Sequence, residues 1–178
     1  MKIVLICCIL DDARKTPIWT NLSEAFEGEY GPKPSVERLW YHFYMRSVMR
    51  EFRDDIVARH DTGEPILLCG HSAGGAIAFA VANGLRRSTV VGVVTIFSPL
   101  SMPIDFLRML DVPVPDVPIV SFGARHDIIV PYPFTRHPTS VAHKILPTDH
   151  QEGLIADPRI SRIIARYAHR HIPKPGSR

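Results

Sequence analysis

The stretch Pro65-Ile66-Leu67-Leu68-Cys69-Gly70-His71-Ser72-Ala73-Gly74-Gly75-Ala76-Ile77-Ala78-Phe79-Ala80-Val81-Ala82 decides the reading of this chain. A short aliphatic run closed by glycine has the length and composition of a buried strand. The alanine-rich run after it has the makings of a helix. Between them a serine sits two residues after Gly70 and two before Gly74, the pattern G-x-S-x-G at a strand-to-helix corner. Such a corner is tight. It holds the serine in a strained backbone conformation, leaves no room for side chains two residues away, and pushes the hydroxyl out at the carboxyl end of the strand. The N–H of Ala73, at the start of the helix, is directed to where an oxyanion would form. The plainer alternative is a glycine-rich turn with an incidental serine. The strand directly before the motif and the helix directly after it favour the nucleophile.

The chain has 178 residues, enough for one domain with a sizeable core, expected over residues 1–170 with a solvated tail at 171–178. With 46% hydrophobic and 22% charged residues it is composed like an ordinary globular protein. The net charge of +3 is mild, and no basic stripe interleaved with aromatics argues for nucleic acid as a partner. Three cysteines, Cys7, Cys8 and Cys69, lie in apolar strand-like runs, the usage of buried free thiols in a reducing, cytoplasmic compartment. The apolar N-terminus is short, lacks a small-residue cleavage site and runs into Asp11-Asp12, so it reads as a first strand rather than a signal peptide. No run approaches the roughly 20 apolar residues of a membrane span. The spacing of Cys and His suggests no zinc site, and no oligomeric state is implied.

Along the chain, residues 2–9 read as a buried strand and 19–26 as a short helix with Trp19, Leu22 and Phe26 on one face. After Gly31-Pro32-Lys33-Pro34, a long amphipathic helix is expected over residues 35–60, with Leu39, Phe43, Val48, Phe52, Ile56 and Val57 as its apolar stripe. Further strands are expected at 66–69, 90–97, 118–123 and 141–146, and helices over the run to residue 85 and over 158–169. Strands alternating with helices indicate an α/β protein, a three-layer sandwich with a parallel sheet of about five strands. Sites in such sheets lie beyond the carboxyl ends of the strands.

Two polar loops fit that place. After the fourth expected strand comes Gly123-Ala124-Arg125-His126-Asp127-Ile128-Ile129-Val130-Pro131, and after the fifth Pro147-Thr148-Asp149-His150-Gln151-Glu152-Gly153. The order Ser72, Asp127, His150 is the nucleophile–acid–histidine order that accompanies this elbow. A serine needs an adjacent base. An imidazole can take its proton and return it to a leaving group, and a carboxylate on the other ring nitrogen fixes the tautomer. With nine histidines in the chain, His150 gains weight only from its position. His126 and His137 are rival bases in or just after the acid loop. Asp149 is a rival acid, badly placed because it adjoins His150. His71 reads as structural, directed away from the serine's pocket, and Ser98 as a pocket-lining or strand-ending residue. A second oxyanion donor is expected from the backbone just past the first strand, at Ile9, Leu10 or Asp11, with Leu10 preferred.

In these motifs the chain resembles the α/β-hydrolases. Gly70-His71-Ser72-Ala73-Gly74-Gly75 is similar to the elbow of lipase- and esterase-like members, Gly123-x-x-x-Asp127-x-x-Val130-Pro131 to their acid loop, and His150 before a helix to their histidine loop. The chain departs from the pattern in three places. It lacks a His-Gly dipeptide after the first strand, shows no evident strand between that loop and the elbow, and carries Asp149 where glycine or serine usually precedes the histidine. The resemblance implies a small hydrolase without a large cap, acting on a small-molecule ester through an acyl-enzyme on Ser72 and needing no cofactor or metal. A thioesterase or amidase using the same residues is the alternative, and a non-catalytic binding protein on the same fold ranks last. Residues 100–117 stand where such hydrolases often place a cap. Met102 and Phe106 there are expected to line an acyl pocket as part of an apolar flap, the alternative being an ordinary packed helix.

Overall fold

The computed structural model describes residues 1–8, 16–39, 46–101, 113–150, 154 and 156–173. Six strands, β1 (Lys2–Cys8), β2 (Ser35–Leu39), β3 (Ile66–Ser72), β4 (Val90–Ile96), β5 (Ile119–Ala124) and β6 (Ala142–Leu146), form one sheet in the order β2-β1-β3-β4-β5-β6. Every pairing is parallel. Parallel strands need crossovers that cover both faces. Helices α1 (Thr16–Tyr30) and α4 (Pro158–His171) serve one face, α2 (Arg46–His60) and α3 (Gly74–Gly84) the other.

The period of two along each strand sorts the core into two clusters. Ile3 and Leu5, Leu67 and Cys69, Val94 and Ile96, and Val120 and Phe122 point to α1 and α4. Val4 and Ile6, Ile66 and Leu68, Val93 and Ile119 point to α2 and α3. Trp19, Leu22, Phe26 and Tyr30 supply the buried stripe of α1, against Ile160, Ile164 and Ala168 of α4. Burying each of the large ones contributes about 2–3 kcal/mol. Helix α4 continues to His171, Ile172 is buried, and the Tyr30 hydroxyl donates to the Ile172 carbonyl at 3.1 Å. Cys69 is a free, buried thiol whose burial pushes its pKa up.

One expectation is overturned. Residues 35–39 are the edge strand β2 rather than the first turns of a long helix, and α2 starts at Arg46. Helical spacing from Leu39 onward disguised a segment whose conformation comes from pairing with β1, Val4 with Ser35 through Cys8 with Leu39. Glu37 shows why propensity misleads here. It is buried, yet it accepts from Arg59 Nη1 at 2.6 Å, His60 Nε2 at 2.8 Å and Ser35 Oγ at 3.2 Å. The His60 hydrogen bond first, and then Arg59, hold its pKa at about 2. A charge on an edge strand also discourages pairing with foreign strands.

The sheet's switch point lies between β1 and β3, whose onward connections lead to opposite sides. Ser72 stands there, paired in register with Cys8. Among the described residues no helix is long and apolar enough to cross a membrane. The β4–β5 connection leaves the site end of the sheet at Ser101, whose N–H bonds the Phe134 carbonyl at 3.0 Å. It is described again at Pro113, whose carbonyl accepts from Asn83 near the end of α3 at 2.8 Å. Met102 and Phe106, expected in an apolar flap, lie outside the described residues.

Candidate active site

Strand β3 runs on to Ser72, and α3 begins two residues later. Ser72 has φ of 54°, the left-handed region that a side chain enters at a cost of about 1–3 kcal/mol. The glycines around it show what maintains that strain. A Cβ on Gly70 would overlap the backbone of Gly74 and Gly75 across the turn, and one on Gly75 would overlap the Ser98 side chain. Ser98 therefore does not line a pocket. It is fully buried beneath the elbow, its hydroxyl 3.3 Å from the Gly70 carbonyl and 3.2 Å from that of Ile96. Ala73 is the N-cap of α3, where the first amides of a helix have no partner within it.

The acid and histidine loops are drawn together because the β5–β6 ladder continues past the strands. Arg125 N–H donates to the Leu146 carbonyl and His126 N–H to that of Thr148, both at 2.9 Å. Asp127 and His150 are consequently neighbours. His150 Nδ1 lies 2.6 Å from Asp127 Oδ2, and its Nε2 lies 3.1 Å from Ser72 Oγ. The carboxylate acceptor dictates the Nδ1–H tautomer, which leaves Nε2 free to accept the serine proton. Asp127 is buried, and its other oxygen accepts from the N–H groups of Ile129 at 2.9 Å and Val130 at 2.8 Å. Those two bonds aim the carboxylate, so the Asp-x-x-Val spacing has a geometric reason.

The rival groups are elsewhere. His126 is exposed. His137 bonds Thr139 at 2.8 Å and packs on Phe79, and burial lowers its pKa. Asp149 is not the acid on His150 Nδ1, since Asp127 holds that position. His71 points away from Ser72 as expected, but its Nε2 lies 3.1 Å from the His150 carbonyl. The only sequence clue to that contact was its place inside the elbow. Leu10, with Ile9 and Asp11, lies outside the described residues. Among the described residues no group of three or more His, Cys, Asp or Glu is placed to hold a metal ion.

A family model described as lipase (class 3) matches residues 12–137, a span that includes Ser72 and Asp127. No curated protein matches the sequence. Among solved structures, the chain is similar to the pyrethroid hydrolase PytH at 15% identity and a TM-score of 0.63, over 97% of this chain and 99% of that one. It is similar to Est1E from Butyrivibrio proteoclasticus at 13% identity and a TM-score of 0.63, over 97% and 88%. An extracellular alpha/beta-hydrolase from a Paenibacillus species is similar at 12% identity and a TM-score of 0.61, over 98% and 100%. These likenesses are of fold: a parallel sheet between helices, as in the α/β-hydrolases.

Proposed function

Because the chain belongs to the lipase (class 3) family, we propose that it is a serine esterase, cleaving a small-molecule carboxylic ester through an acyl-enzyme on Ser72. The observation that carries this reading is the continuous Asp127–His150–Ser72 relay, at 2.6 Å and 3.1 Å, built from three separate strand ends. The esterase and hydrolase names of similarly folded proteins support hydrolysis as the reaction class.

In this mechanism Ser72 Oγ attacks the ester carbonyl as its proton passes to His150 Nε2. The imidazolium is stabilised by the Asp127 carboxylate. The Ala73 N–H, with Leu10 N–H as the second donor, receives the oxyanion. When the tetrahedral species collapses, His150 hands its proton to the departing alcohol. His150 then deprotonates a water that attacks the acyl carbon, and the released Ser72 oxygen recovers the proton. The strained backbone at Ser72 holds the hydroxyl ready for attack before substrate arrives.

A fluorophosphonate probe tests the nucleophile. The native chain is expected to label and Ser72→Ala to remain unlabelled, while His126→Ala labels normally. Absence of labelling on folded native protein sinks the proposal. Turnover of p-nitrophenyl esters of increasing acyl length, beside a thioester and an anilide, tests the bond. Esters are expected to lead, and a thioester or anilide that is turned over faster would reassign the reaction.

A further inference from the structure

We infer that His71 is a positioning residue that sets the main chain of His150 relative to Ser72, an inference resting on the Ser72–His150 reading above. The alternation of β3 turns His71 toward the α1 side of the sheet, where it is 1% exposed. Its ring meets Trp19 edge-on at 6.0 Å and 72°, and Phe97 at 6.1 Å and 75°. A third ring, that of His150, lies 5.1 Å away at 45°. Held between these rings, the imidazole places Nε2 at 3.1 Å from the His150 carbonyl oxygen. A carbonyl only accepts, so His71 donates there and carries its proton on Nε2.

Phe97 supplies an independent sign that this cluster is maintained against a cost. It has φ of 50°, a left-handed conformation that is a genuine outlier for a bulky residue. Its N–H is bonded to the Phe122 carbonyl at 2.9 Å, and its ring lies 6.3 Å from that of His150. Among the described residues, the two left-handed ones that are not glycine, Ser72 and Phe97, flank the same histidine contact.

The consequence is geometric. His150 sits on a loop, yet its ring must hold an acceptor on Nδ1 and a hydroxyl on Nε2 together. A misplacement of about 1 Å in such an arrangement costs on the order of 100-fold in rate. The His71 bond ties the backbone of the base to the residue adjacent to the nucleophile, across 79 positions of sequence. The loop that carries the base is then tied directly to the strand that carries the nucleophile.

The test compares His71→Leu, which removes the donor at similar bulk, with His71→Gln, whose side-chain amide N–H reaches a similar position. His71→Leu is expected to lower kcat about 10- to 100-fold with KM within about twofold. It should slow fluorophosphonate labelling in parallel, and it should broaden the low-field proton resonance of the Asp127–His150 bond. His71→Gln is expected to recover most of all three. Equal loss in both variants at native Tm, or full activity in His71→Leu, overturns the role of His71. A separate measurement needs no variant. In ring-15N NMR of the native protein His71 is expected to carry a proton on Nε2, and an Nε2 without a proton overturns the inference even if His71→Leu fails to fold. His150→Ala runs in the same assay. If it keeps full turnover, the triad reading has failed, whereas its inactivity beside an unaffected His71→Leu removes His71 alone.

Discussion

Among the described residues are two buried carboxylate–histidine pairs, and in both the partners are 23 residues apart. Asp127 with His150 lies beyond the carboxyl ends of β5 and β6, at 2.6 Å, and Glu37 with His60 joins β2 to the end of α2, at 2.8 Å. The third partner separates them. Glu37 already has a permanent cation, Arg59, at 2.6 Å, shared with Asp55, so part of its charge is matched whatever the state of His60. Asp127 is met by two uncharged backbone amides and by His150, and protonation of His150 is what brings a positive charge to it. A proton taken from Ser72 would create a favourable ion pair at Asp127, whereas at Glu37 Arg59 already supplies part of that charge. The free ring nitrogen of His150 faces a hydroxyl at 3.1 Å. One pair is arranged to gain from proton transfer, the other to hold an edge strand onto a helix.

The sharpest way to break this contrast is to delete each histidine. His150→Ala is expected to lower kcat by about 10⁴-fold or more, and His60→Ala to leave it within about threefold while lowering Tm. Comparable activity losses in the two would show that the pairs are not functionally distinct. Replacing the carboxylates probes the same divide. Asp127→Asn is expected to cost about 10⁴-fold in kcat by removing the acceptor that sets the tautomer. Glu37→Gln is expected to keep kcat and lose about 2 kcal/mol of stability, read as a drop of about 4–8 °C in Tm. A silent Glu37→Gln in thermal unfolding would mean that Arg59 and His60 contribute nothing through it.

The smallest effect is one of pH. The folded pKa of Glu37, about 2, lies below its ordinary value of 4.5, so its contribution to stability is fully present above that value. The contribution declines as pH falls toward the folded pKa. The Tm gap between the native chain and Glu37→Gln is expected to be widest above pH 5 and to shrink steadily toward pH 2. A gap that widens on acidification contradicts the assignment.

Most of the candidate site's geometry was legible because its residues are marked by position. Gly70-His71-Ser72-Ala73-Gly74 is a local motif with a steric reason, and the structure shows the overlap that excludes a side chain at Gly70. Asp127 and His150 follow strands that composition reveals. The buried Glu37–His60 pair was not legible. Glutamate and histidine carry no local mark of burial, and Ser35–Leu39 is a strand because β1 lies beside it. Ser98 was visible as a strand-ending serine, but its support of the elbow depends on the packing of Gly75 against it. For the same reason His71 could be assigned to the far face by alternation while its bond to His150, 79 residues away, could not be foreseen.

By itself the sequence determined the alternation of strands and helices, the strained corner at Ser72 and the placing of Asp127 and His150 after later strands, since these depend on hydrophobic period, glycine sterics and neighbouring residues. The tertiary structure alone decided which histidine meets which carboxylate, which serine stays buried, and that residues 35–39 complete the sheet. Those outcomes depend on distances between segments far apart in the chain, which packing sets and local sequence does not encode.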